Sequence, residues 1–194
     1  MHPILLYVQL GFEHISDLAG YDHLLFLVAL CAVYRIDQWR RVLILVTAFT
    51  IGHSITLALV ALDVLRLPSN LIEFLIPVTI LLTALHNVFS QPTGQASTSM
   101  LPKYATALFF GLIHGMGFSN YFRALLMDES NILLPLLGFN VGIELGQIMI
   151  VAIIVSVAWV ALKGLGIGHR DWNAFISGGA AALSLQLMAE KSIW

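Results

Sequence analysis

Long apolar runs separated by short polar stretches dominate the chain, and a membrane-crossing helix needs about 20 predominantly apolar residues. The first run covers residues 11–34; Gly20 is expected to break it, leaving 11–18 along the interface and the crossing part from Tyr21. A second run covers 42–62 and ends in the polar turn 63–68. A third covers 70–89, with Pro77 expected to kink it. Residues 90–103, rich in Pro, Gly, Ser and Thr without periodicity, read as a flexible loop. A fourth run, 104–127, and a fifth, from about Asn131 to Leu162 with Pro135 in its first turn, follow. The sixth and weakest is 172–189, whose Ser177-Gly178-Gly179-Ala180-Ala181-Ala182 stretch predicts close helix packing rather than lipid contact.

This pattern predicts an all-α, polytopic integral membrane protein: six transmembrane helices in one bundle, with 1–194 a single domain. Arg35, Arg40, Arg41, Lys103, Lys163 and Arg170 fall in the odd-numbered loops, whereas the opposite side has Arg66 and Lys191, with Arg123 near a helix end. Cytoplasmic loops collect Lys and Arg, so the odd loops are expected inside and both termini outside.

Composition agrees. The 194 residues are 59% hydrophobic and 10% charged, against roughly 45–50% and about 25% in soluble domains. The apolar excess calls for lipid as the solvent. A net charge of −2 leaves no basic footprint for nucleic acid. Cys31, the lone cysteine, forms no internal disulfide and reads as a small buried hydrophobe. Residues 1–9 carry neither the positive start nor the cleavage site of a secretory signal.

Against this background the ionisable residues inside the runs stand out, because each costs roughly 2.5–3.5 kcal/mol on insertion scales. They are Asp22, His23, His53, Glu73, His86, His114 and Glu144. At a rise of about 1.5 Å per residue, His53, His114 and Glu144 fall near mid-membrane and Asp22-His23 within reach. Glu73 lies nearer the outer surface, and His86 falls too far toward the inner one to join. Glycines flank His53 (Gly52) and His114 (Gly111, Gly115, Gly117), opening room for a helix or a ligand. Asn140, Glu144 and Gln147 share one helical face, as do Glu73 and Asn87. Imidazoles with carboxylates suit a divalent transition-metal ion such as nickel, cobalt or zinc. Ser54, Asn140, Gln147, Glu73 and Asn87 are the expected supporting hydrogen-bond partners. Each residue also has a plain alternative: a helix-to-helix hydrogen bond for one histidine, a structural ion pair for Glu144, a solvated surface pair for His14 with Asp17.

The runs Gly11-Phe12-Glu13-His14-Ile15 and Gly20-Tyr21-Asp22-His23-Leu24-Leu25-Phe26 resemble the opening signature of the HupE/UreJ family. So do Thr47 to Leu57, with Gly52-His53-Ser54 at its heart, and Gly111-Leu112-Ile113-His114-Gly115-Met116-Gly117-Phe118. Asn140-Val141-Gly142-Ile143-Glu144-Leu145-Gly146-Gln147 is similar as well. The resemblance implies a multi-span bacterial inner-membrane protein of a group linked to nickel supply for hydrogenase or urease. It carries over His14, Asp22, His23, His53, His114 and Glu144 as metal ligands. Seven residues, 15–21, separate His14 from Asp22, a wider gap than the family commonly shows, which counts against His14. The expected role is a metal permease or uptake accessory, with a homo-oligomer or a metalloenzyme maturation partner as possible company. The alternatives are an intramembrane zinc-type metallohydrolase, with a carboxylate as general base, and a non-transporting metal-binding assembly protein.

Overall fold

In the computed structural model, which describes residues 3–89, 99–126 and 132–191, the chain is all-helical. The helices are α1 (Pro3–Ser16), α2 (Asp22–Ala32), α3 (Trp39–Ala61), α4 (Ser69–Phe89), α5 (Leu101–Gly117), α6 (Ser119–Leu125), α7 (Leu133–Trp159) and α8 (His169–Glu190). A 3₁₀ turn (Ile36–Gln38) leads into α3, and a π turn (Val160–Gly164) extends α7. Among the described residues, three helical segments are long and apolar enough to cross a membrane: 36–61, 69–89 and 133–164.

The first run is two helices. α1 begins at Pro3, well before Gly11, and packs along α7. The break falls at 17–21, and Asp17 makes it: its Oδ1 accepts the Ala19 amide at 2.8 Å. Such a side-chain-to-backbone bond competes with the helical ladder. Ser16 has already turned its hydroxyl onto the Phe12 carbonyl, 2.7 Å away.

The fourth run also divides. α5 stops at Gly117, Phe118 caps it, and α6 begins at Ser119. His114 therefore stands three residues from a helix end, not in the middle of a long span. The flexible loop expected at 90–103 is already helical from Leu101, which puts Lys103 in the first turn of α5; residues 90–98 lie outside the described residues.

Glycines set which helices touch. Gly11 lies against the Phe139 carbonyl and Gly142 against that of Val8, so α1 and α7 run side by side in the same direction. Gly52 abuts the Leu108 carbonyl and Gly111 that of Phe49, giving α3 and α5 the same parallel contact. Small residues allow such backbone approach in apolar surroundings. The glycines of α8 behave otherwise. A side chain added at Gly178 or Gly179 would meet nothing within 4 Å, and the buried residues of α8 are Asn173, Ser177, Ala180, Ser184 and Leu187. The small-residue stretch thus packs through its Ser and Ala positions, with its glycines on the outside.

Two polar ties mark the ends of the bundle. At one end Arg123 of α6 reaches the Val60 carbonyl (2.9 Å) and Asp63 (2.5 Å), while Lys191 meets Glu73 at 3.3 Å. At the other, Asn87 donates to the Ala29 carbonyl at 2.6 Å and its own carbonyl accepts from Asn173 at 2.8 Å, joining α2, α4 and α8.

Candidate metal centre

α1 delivers His14 and α2 delivers His23 from opposite sides of the break, α3 delivers His53, and α5 delivers His114. Their rings meet inside the bundle. His14 lies 4.8 Å from His23 and 5.8 Å from His53 between ring centroids; His23 lies 6.0 Å from His53 and 5.3 Å from His114. One nitrogen from each of His14, His23 and His53 falls within 4.8 Å of the others. His53 is 0% exposed, His114 1% and His23 6%.

The hydrogen bonds leave one side of each ring open. His23 Nδ1 sits 2.8 Å from Asp22 Oδ1, the same oxygen that accepts the His23 amide at 2.7 Å. His114 Nδ1 lies 2.9 Å from the Phe110 carbonyl. A ring whose Nδ1–H donates in this way carries its lone pair on Nε2. Nε2 of His14, His23 and His114, and both nitrogens of His53, are buried with no hydrogen-bond partner among the described residues. Native interiors rarely leave several polar atoms orphaned together, so the chemistry of this donor set fits a cation that accepts imidazole nitrogen.

A cavity of about 1030 Å³ opens from the Glu73–Lys191 end and reaches His14, His23 and His114 at its floor. Glu13, Asp17, Asp22 and Glu73 line its walls. Phe118 covers the histidines from the side, 3.9 Å from His14 and 4.9 Å from Phe139 between centroids. Beneath them Phe26, Phe49 and Phe110 form a second aromatic layer; Phe26 stacks on Phe49 at 4.8 Å and lies 5.2 Å from His114.

The remaining expected residues are dispersed. Glu144 stands outside the histidine group: its Oε1 accepts from Thr47 at 2.5 Å, on the seam between α3 and α7. One turn along, Thr50 donates to Gln147 at 2.8 Å, and Gln147 Nε2 and Asn140 Oδ1 have no partner among the described residues. Ser54 turns back onto the Thr50 carbonyl of its own helix at 2.6 Å. Glu73 lines the cavity mouth, and Asn87 ties helices together at the far end. His14, which its wide spacing sets apart, stands with His23 and His53; Asp17, its expected surface partner, serves the turn instead. Sequence reasoning gave no site role to the aromatic walls or to Thr47, because nothing in an apolar run distinguishes a side chain facing a histidine from one facing lipid.

A family model described as HupE / UreJ protein matches residues 1–191, essentially the whole chain. No curated protein and no solved structure matches it.

Proposed function

The chain belongs to the HupE/UreJ family, and on that premise we propose that it is a bacterial inner-membrane protein that takes up a divalent transition-metal ion, nickel or cobalt foremost. The observation that carries this reading is the set of orphaned buried nitrogens on His14, His23, His53 and His114, of which His14, His23 and His114 line the floor of an open cavity. In this reading α3, α4 and α7 cross the bilayer, α5 and α8 cross beside them, and α1 with α2 make one interrupted crossing. Irregular backbone at membrane depth is tolerated where it lines a cavity, which suits the 17–21 turn. The Lys and Arg distribution supports both termini outside.

The acidic walls draw the hydrated cation in by their field, and the imidazoles replace its water. Metal–nitrogen bonds of about 2.1 Å let two ligand atoms stand at most ~4.2 Å apart. Three nitrogens on one such ion average no more than about 3.6 Å apart, so a group within 4.8 Å draws in by up to about 1.2 Å. Asp22 holds the His23 ring for this task, as carboxylates commonly do for metal-binding histidines. Asp22 and Glu144 together supply two negative charges in a low-dielectric region, where an uncompensated dication is costly. Glu144 acts as charge compensation from the α3–α7 seam, outside the histidine group.

Elemental analysis of the purified protein, run beside metal accumulation in cells, tests the reading. Bound nickel or cobalt near one per chain is expected, with His114→Ala and Glu144→Ala each abolishing accumulation. Normal accumulation by both variants overturns it. Bound metal without flux would reassign the chain to storage or assembly.

A further inference from the structure

A second cavity, of about 540 Å³, lies at the opposite end of the bundle, between α2, α4 and α5. Leu30, Tyr34, Thr83, His86 and Thr106 are among its walls. Phe26 and Phe110 line its inner limit. Those same two residues touch His114 on the other side: the Phe26 ring lies 5.2 Å from it, and the Phe110 carbonyl accepts its Nδ1–H. His114 in turn lines the outer cavity. Two cavities entering from opposite ends are therefore separated by one layer of side chains, and Phe26, 1% exposed, fills its centre.

Phe26 and His23 sit three residues apart on α2, so one helical face carries a chamber imidazole and the barrier ring. α2 is an 11-residue helix interrupted at both ends, by the 17–21 turn before it and the Val33–Arg35 bend after it. A short helix so bounded moves as a unit: a shift that carries His23 away from its partners also withdraws Phe26.

We propose that the inner cavity is the aqueous release compartment for the ion held by the four histidines, and that Phe26 is the barrier between the two. This rests on the uptake reading above and adds where the ion leaves and which residue stops it. Thr83 and Thr106 hydroxyls and the His86 imidazole supply polar groups for a cation regaining water. Tight aromatic packing against His114 keeps the two compartments from opening together, as uptake without leakage requires.

The test uses the full chain in proteoliposomes loaded with a nickel-sensing dye. Phe26→Trp is expected to cut nickel flux at least tenfold, and Phe26→Ala to raise passive flux several-fold, with bound nickel per chain retained in both. Wild-type flux in both variants overturns the barrier, and so does loss of bound metal, which would make Phe26 a support of the chamber itself. A second measurement addresses the compartment: Thr83→Cys in a Cys31→Ser background, probed with a charged, membrane-impermeant thiol reagent. Labelling from the water side supports an aqueous compartment, and labelling only by a lipid-soluble maleimide overturns it. Were the wild type to bind nickel without carrying it, or to bind none, the uptake reading itself would fail, and that result is distinct from either outcome above.

Discussion

Asp22 and His23, neighbours in the first turn of α2, are joined twice: the Asp22 Oδ1 accepts the His23 amide at 2.7 Å and the His23 Nδ1–H at 2.8 Å. With one oxygen the carboxylate takes the adjacent amide in the first turn of its helix and sets its neighbour's tautomer. Asp22→Asn keeps the shape but offers a neutral amide, which no longer enforces an Nε2 lone pair. Metal affinity should fall 10- to 100-fold, the usual cost of losing such a partner, with the helix content of the purified protein unchanged. Titration calorimetry with nickel reads this directly, and unaltered affinity would separate Asp22 from the site.

His53 offers a different contrast. It is fully buried with both ring nitrogens unpartnered among the described residues, so in a metal-free protein it is a burden. An unsatisfied buried polar group costs about 1–3 kcal/mol. His53→Leu should raise the thermal midpoint in chelator. The same variant should lose the extra stabilisation that wild type gains from metal, worth about 2.7 kcal/mol at a hundredfold excess over Kd. Thermal scans with and without nickel give both numbers.

The glycine contacts make a paired prediction. A side chain at Gly52 would meet the Leu108 carbonyl, pushing α3 from α5 and His53 from His114. Gly52→Val should therefore lose metal binding along with stability, overpacking of this kind costing about 1–3 kcal/mol or more. Gly178, with open space around it, should accept alanine and gain up to about 1 kcal/mol from helix propensity. Denaturation midpoints in detergent compare the two; equal effects would mean that the glycine contacts do not hold the bundle.

Asp63 gives a pH dependence. Its hydrogen bonds, first to Arg66 and then to Arg123, pull its carboxyl from 3.8 down to about 2. A group depressed on folding contributes its full stabilisation above the unfolded value and loses it as pH falls through the folded one. The midpoint difference between wild type and Asp63→Asn should be constant from pH 7 to about 4, then shrink toward pH 2. Asp63 has φ +59°, a region asparagine also tolerates, so the comparison isolates charge. A difference that stays flat down to pH 2 would mean that the charged pair contributes nothing.

What a reader of the sequence could find followed from composition and period. Apolar runs of the right length announced α3, α4 and α7, because the penalty for bare backbone in lipid leaves helices as the answer. Glycine-flanked His53 and His114, and the Asp22-His23 pair, were visible because ionisable groups in apolar runs need a reason to be there. The limits of that reasoning are equally specific. Gly20 marked the break at 17–21, but neither the Asp17 oxygen that builds that turn nor the stop of α5 at Gly117 showed in the sequence.

Chain order alone determined that this protein is a helical membrane protein carrying imidazoles and acids within its apolar runs. Tertiary structure decided which of them meet. Depth along a helix follows from counting residues, but rotation about the helix axis and the choice of neighbour follow from glycine contacts between distant segments. That is why His14 stands beside His23 and His53, while Glu144, at a similar depth, faces Thr47 across another seam.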